Sequence, residues 1–123
     1  MGTMMLIAFD VYTLARNKKN NMGYGRKQVF KRKVIKEYES TLENAAFNAM
    51  KLTGLPPSTR PIRLDINITF PDRRRRDLQN VSDCICDSLN NIVYEDDVQI
   101  VELHMTKSYE KGLSKISIEV FEL

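Results

Sequence analysis

The chain has little of what the commonest catalytic centres are built from. It holds one histidine, His104, two cysteines, Cys84 and Cys86, and no tryptophan. A single histidine excludes a histidine-rich zinc site and speaks against a Ser-His-Asp triad. Two cysteines two apart on a helix point in different directions, and no second pair exists to complete a zinc site or a disulfide framework. Both read as small core residues. No apolar run approaches the ~20 residues that span a bilayer. The opening MGTMMLIAFD has no basic n-region and no small-residue cleavage pattern, so the expected compartment is the cytoplasm, with no membrane partner. With 123 residues, one domain over 1–123 is expected. Any metal here would be held by carboxylate oxygen.

What is present is unevenly distributed charge. The net charge is +3, from 19 basic and 16 acidic side chains. Nine of the basic ones lie between Arg16 and Lys36 with no acidic residue among them. They include Lys18, Lys19, Arg26, Lys27 and Lys31. A second run, Arg73, Arg74, Arg75 and Arg76, sits between Asp72 and Asp77. Charge runs are usually solvated surface. Two in one small domain point to a polyanion, because Lys and Arg contacts to phosphate release counterions.

Periodicity gives an α+β order of strand, helix, strand, helix, strand, strand in a small mixed sheet with two helices. Leu6–Val11 reads as a strand, and Arg16–Gly25, rich in Asn and Gly, as a loop. Gln28 to Thr53 carries a helical stripe of Val34, Tyr38, Leu42, Ala45, Ala49 and Leu52, with Gly54 just past its end. Along Arg60–Phe70, apolar Ile62, Leu64, Ile66, Ile68 and Phe70 alternate with polar neighbours, the pattern of a half-buried strand. Asp77 to about Asn90 has the stripe Leu78, Val81, Ile85, Leu89. Val98–Tyr109 and Lys115–Phe121, joined near Lys111-Gly112, read as a hairpin.

Three acidic features stand out. Asp77 follows the arginines, where the plain reading is a helix cap. Gln79, Asn80, Asp83 and Asp87 share the polar arc of the second helix, by itself an ordinary wet face. Glu95-Asp96-Asp97 occupies the turn that follows. Together they have another use, since hard divalent cations take oxygen ligands from a few carboxylates and keep positions open for water and phosphate. Arginine forks beside them would hold a phosphate that the carboxylates alone would repel.

The stretch FPDRRRRDLQN, a helix, then YEDDVQIVEL resembles the RusA family of Holliday junction resolvases, which carries PDRRRRDLDN, a helix, and a turn of paired aspartates before DxQI/V. The match is dense from about Phe70 to Glu102, and earlier segments agree in layout. The resemblance implies a homodimeric, Mg²⁺-dependent endonuclease, with Mn²⁺ as a substitute, that nicks four-way junction DNA symmetrically in recombination and repair. It places the family's acidic residues on Asp77 and Asp97, with Asp96 adjacent, and its basic run on Arg73 to Arg76.

Two positions depart from that pattern. Gln79 stands where the family has a second aspartate, and Asp83 where it has a lysine. Because these two are one helical turn apart, Asp83 can replace the missing carboxylate. The expected metal set is then Asp77, Asp83, Asp96 and Asp97 with Gln79 as a secondary oxygen ligand, the catalytic carboxylates being Asp77, Asp83 and Asp97. The alternative is a junction-binding protein of the same fold that cleaves weakly or not at all. With a relocated ligand, Asp83→Asn loses junction nicking in Mg²⁺. Wild-type rates in that variant would remove Asp83 from the set, and strongly raised activity in Gln79→Asp would mark the natural glutamine as a defect.

Overall fold

The computed structural model describes residues 3–16 and 26–123, with side chains in the second stretch from Arg32 onward. The loop that holds Lys18, Lys19 and Tyr24, and the side chains of Arg26, Lys27 and Lys31, lie outside the described residues. The elements are β1 (Met4–Val11), α1 (Arg26–Thr53), β2 (Ile62–Phe70), α2 (Gln79–Ser88), a 3-10 turn (Asp97–Gln99), β3 (Ile100–Tyr109) and β4 (Lys115–Glu122). This is the α+β order that the periodicity predicts.

The sheet order is β1-β4-β2-β3. β2 is parallel to β3 and antiparallel to β4, and β1 is antiparallel to β4. β2 is central because its inward side chains are the most apolar run in the chain. Ile62, Leu64, Ile66, Ile68 and Phe70 are all buried. Register lines up Ile7, Val120, Leu64 and Leu103 in one row and Val11, Ile116, Ile68 and Lys107 in another. Ile7, Val11, Leu64, Ile68, Ile116 and Val120 of these rows form the core with Tyr38, Leu42, Ala46, Val81, Ile85 and Leu89, while Leu103 and Lys107 on the edge strand are exposed. The other face of the sheet carries Asp65, Asn67, His104, Thr106 and Glu119.

The expected hairpin between the last two strands is corrected. β3 and β4 flank β2 and do not touch each other along their length. β3, mostly exposed, takes an edge, while β4, with Ile116, Ile118 and Val120 buried, goes inside. The connection wraps the end of β2. Glu110 N donates to Phe70 O at 3.1 Å, and Gly112 N to Pro71 O at 3.2 Å. Gly112, at φ +76°, is the third residue of the 110–113 turn, where a positive φ favours glycine.

α1 ends where expected, with Gly54 at φ +71° in the left-handed conformation that closes helices. Its buried stripe differs from the predicted one. Ile35, Tyr38, Leu42, Ala46 and Met50 are buried, whereas Leu52 is 91% exposed. The last turn of α1 runs beyond the cover of the core, so residues 51–55 are all exposed. Cys84 and Cys86 are buried free thiols, as expected. Among the described residues no helix is long and apolar enough to cross a membrane.

Ile66→Ala, in the middle of β2, is expected to cost ~2–5 kcal/mol in denaturant unfolding. Leu52→Ala is expected to stay within ~0.5 kcal/mol of wild type. Equal losses at the two positions would contradict this placement of the core.

Candidate active site

The turn between α2 and β3 is fastened from three sides. Tyr94 is fully buried, and its hydroxyl donates to Cys86 O at 2.6 Å, tying the turn to α2. Ser58 N donates to Val93 O at 2.8 Å and Glu95 N to Ser58 O at 3.2 Å, tying it to the segment before β2. Asp96 then opens the 3-10 turn through a capping box. Its Oδ1 accepts from Val98 N at 3.1 Å, and Gln99 Oε1 accepts from Asp96 N at 2.9 Å. The Gln99 amide also donates to Ser58 O at 2.8 Å and Arg60 O at 2.9 Å. Reciprocal capping satisfies backbone groups that the turn would otherwise leave open. In the EDD-x-Q segment, therefore, Asp96 and Gln99 build the turn, and Asp97 is the carboxylate it presents.

Asp97 is held against its own kind. The Asp87 carboxyl on the last turn of α2, then partial burial, then Asp96 raise its pKa to about 6. Like charges sharing one place disfavour the ionised form. Cys86, beneath this cluster, has its thiol pushed up to about 12 by burial first and then by Asp97, Asp83 and Asp87. It is an inert core thiol.

The other predicted carboxylates lie along α2. Asp83 is exposed, one turn before Asp87. Gln79 and Asp77 are exposed at the start of the helix. Asp77 is not the helix cap of the plain reading: Leu78 occupies that position, and no side chain caps the helix. Asp77 Oδ2 accepts from Asn80 Nδ2 at 3.5 Å. Asp77 stands two residues before α2, and the helix rises about 12 Å from Gln79 to Asp87. One protomer thus brings Asp96 and Asp97 together with Asp87 and leaves Asp77 and Gln79 at the far end of α2. Among the described residues no group of three or more His, Cys, Asp or Glu side chains closes into a metal-binding cluster.

The four arginines gather at the Asp77 end and have different surroundings. Arg76 is forked onto Asp72, with Nη1 at 2.6 Å and Nη2 at 3.3 Å, and lies over the Phe70 ring at 4.6 Å. Asp72 also accepts from Arg74 N at 3.0 Å. These partners, Arg76 foremost, hold the Asp72 carboxyl below the usual carboxylate range. Arg73 lies over the Tyr109 ring at 4.6 Å. The Arg74 side chain is 83% exposed, and Arg75 is exposed. Arg76 fixes the loop, and Arg73, Arg74 and Arg75 are left facing solvent.

The sequence places Asp87 on the polar arc of the second helix, one turn after Asp83, and the expected metal set leaves it out. Its approach to Asp97 depends on the fold of the turn. His104 is exposed on the sheet's open face, far from this chemistry.

The crowding gives a pH signature in metal-free protein. A carboxyl with its folded pKa raised from 3.8 to about 6 binds protons more tightly when folded, so stability is lost as pH rises through that window. Asp97→Asn should raise the melting temperature relative to wild type at about pH 7, the gain vanishing towards about pH 4. A gain independent of pH would contradict the crowding.

A model of the endodeoxyribonuclease RusA family matches residues 9–121, which includes both ends of α2, the arginine loop and the acidic turn. No curated protein matches the chain. With nearly its whole length matched, this chain belongs to the RusA family of endodeoxyribonucleases.

Proposed function

We propose that the protein is a Mg²⁺-dependent, structure-specific endodeoxyribonuclease that resolves Holliday junctions by paired symmetric nicks in DNA recombination and repair, acting as a homodimer in the cytoplasm. The observation that carries this reading is the crowding of Asp87 and Asp96 on Asp97 in a chain of an endodeoxyribonuclease family. Carboxylates held together at a cost in free energy suit a divalent cation, which removes their repulsion. The donor set is oxygen throughout, as Mg²⁺ requires, with Mn²⁺ as a substitute. When bound, such an ion supplies charge stabilisation to a phosphodiester in transition and a more acidic water.

The proposed ligands are Asp77, Asp83, Asp96 and Asp97, with Gln79 as a secondary oxygen and Asp87 added. Asp77, Asp83 and Asp97 are the proposed catalytic carboxylates. About 12 Å of helix between Gln79 and Asp87, with Asp77 beyond it, keeps these groups from one ion within a protomer. A two-fold dimer with α2 helices antiparallel sets the Asp77 end of one copy beside the Asp97 end of the other. Charge favours that pairing, since exposed Arg73, Arg74 and Arg75 then meet Asp87, Asp96 and Asp97. The same loop also reaches the DNA backbone alongside the scissile phosphate through bidentate guanidinium donors. Lys18, Lys19, Arg26, Lys27 and Lys31 extend the basic surface along the strand. Two sites related by the two-fold match two equivalent strands of a junction.

A second reading, a junction-binding protein that cleaves weakly, is favoured by one feature. Neutral Gln79 and anionic Asp83 replace a carboxylate and a cation of the family pattern, which weakens the Asp77 half of the site.

Mixing two inactive variants tests the shared site. Asp77→Asn and Asp97→Asn should each bind four-way junction DNA and fail to nick it in Mg²⁺. After subunit exchange, each mixed dimer carries one intact site and should nick one strand. If wild type nicks and mixed dimers, verified by tagging, do not, the shared site is wrong. If wild type binds junctions without nicking, the second reading replaces the first.

A further inference from the structure

We infer that Lys107, with Arg73 held over Tyr109 and with Arg74, forms a second phosphate subsite that takes the backbone of a nucleotide flanking the cleaved one. The inference rests on the DNA-cleaving reading above and adds an element to it that the basic runs in the sequence do not contain.

The geometry is that of a cavity of about 240 Å³ lined by Phe70, Asp72, Arg73, Arg74, Arg76, Lys107, Ser108 and Tyr109. Two separate parts of the chain make it, the arginine loop after β2 and the last residues of the edge strand β3. Phe70 and Tyr109 are cross-strand partners, so their rings stand side by side, and each carries a guanidinium at 4.6 Å. Stacking holds the planar groups in place while their N–H edges stay free to donate. Lys107, two residues before Tyr109, is on the same side of β3. Its ammonium donates to Arg76 O at 2.9 Å, which leaves two of its three protons for another acceptor.

Charge in the cavity is one-sided. Four cations line it against one carboxylate, Asp72, which Arg76 already occupies with two bonds. Arg74 reaches Asp72 only at 3.8 Å, and among the described residues Arg73 and Lys107 have no carboxylate partner. Three cations converging on a recess of this size suit a phosphate group, and the recess adjoins Asp77, the residue after Arg76. A phosphate seated there is on the strand next to that carboxylate. It also draws on β3, so the end of the sheet, and not only the arginine loop, sets the path of the DNA.

The test is binding of an immobile four-way junction in EDTA, across salt concentrations, by full-length wild type, Lys107→Ala, Lys107→Arg and Tyr109→Leu. Loss of one phosphate contact lowers the slope of log affinity against log salt by about 0.9. The defect of Lys107→Ala should therefore shrink about 3.5-fold between about 50 and about 200 mM salt. Lys107→Arg should restore the slope, and Tyr109→Leu, which frees Arg73, should lower it. If Lys107 only props the arginine loop, Lys107→Ala weakens binding with the wild-type slope, and the subsite is overturned. A wild type that binds junctions with a flat salt dependence would overturn the DNA-cleaving reading itself.

Discussion

Repulsion between carboxylates is the constraint around which this molecule is arranged. Asp87 and Asp96 stand close enough to Asp97 to raise its pKa to about 6, through a hydrogen bond with Asp87 first, then partial burial, then Asp96 and the like charges. The restraint comes from neutral groups. Gln99 spends its amide on two carbonyls before β2, and Tyr94 anchors the turn to α2 from a fully buried position. Hydrogen bonds of this kind are modest in net free energy, but leaving buried partners unpaired is costly. The turn therefore keeps its shape against the electrostatics. In the proposed reading that cluster is where a divalent cation would sit.

The second constraint is the length of α2. It separates a cationic end, with Asp77 and the arginine loop, from an anionic end, with Asp97. In the proposed reading each end is half of what phosphodiester hydrolysis needs: one side would hold phosphate, the other a divalent ion. The antiparallel two-fold arrangement proposed above would join the unlike halves, setting the arginine loop of one copy beside the acidic turn of the other. It also accounts for why the arginines differ among themselves. Arg76 is used internally to shape the loop, which leaves its neighbours outward, where a partner subunit and DNA backbone can reach them.

Much of this was legible along the chain because it depends on local pattern. Alternation in β2, the apolar stripe of α2 and Gly54 after α1 each follow from short-range sterics and burial, and each stands where expected. The pairing of the last two strands did not follow. Lys111-Gly112 does mark a turn, but the partner of β3 is chosen by which strand is apolar enough to be central, a non-local property. In the site, the acidic turn and the arginine run were visible as motifs. Three things were hidden: that Asp96 and Gln99 mainly build the turn, that Asp87 reaches Asp97, and that Asp77 lies a helix length away. All three depend on how α2 and the following turn pack in space, which spacing alone does not specify. Lys107 escaped notice because it stands by itself in β3, and its significance comes from the loop it touches.

The most direct measurement is a crystal structure of the dimer soaked in Mn²⁺, read by anomalous scattering. The account predicts a peak between Asp97 with Asp87 of one protomer and Asp77 of the partner subunit. Manganese bound elsewhere, or an empty map at that position with the dimer intact, would contradict it.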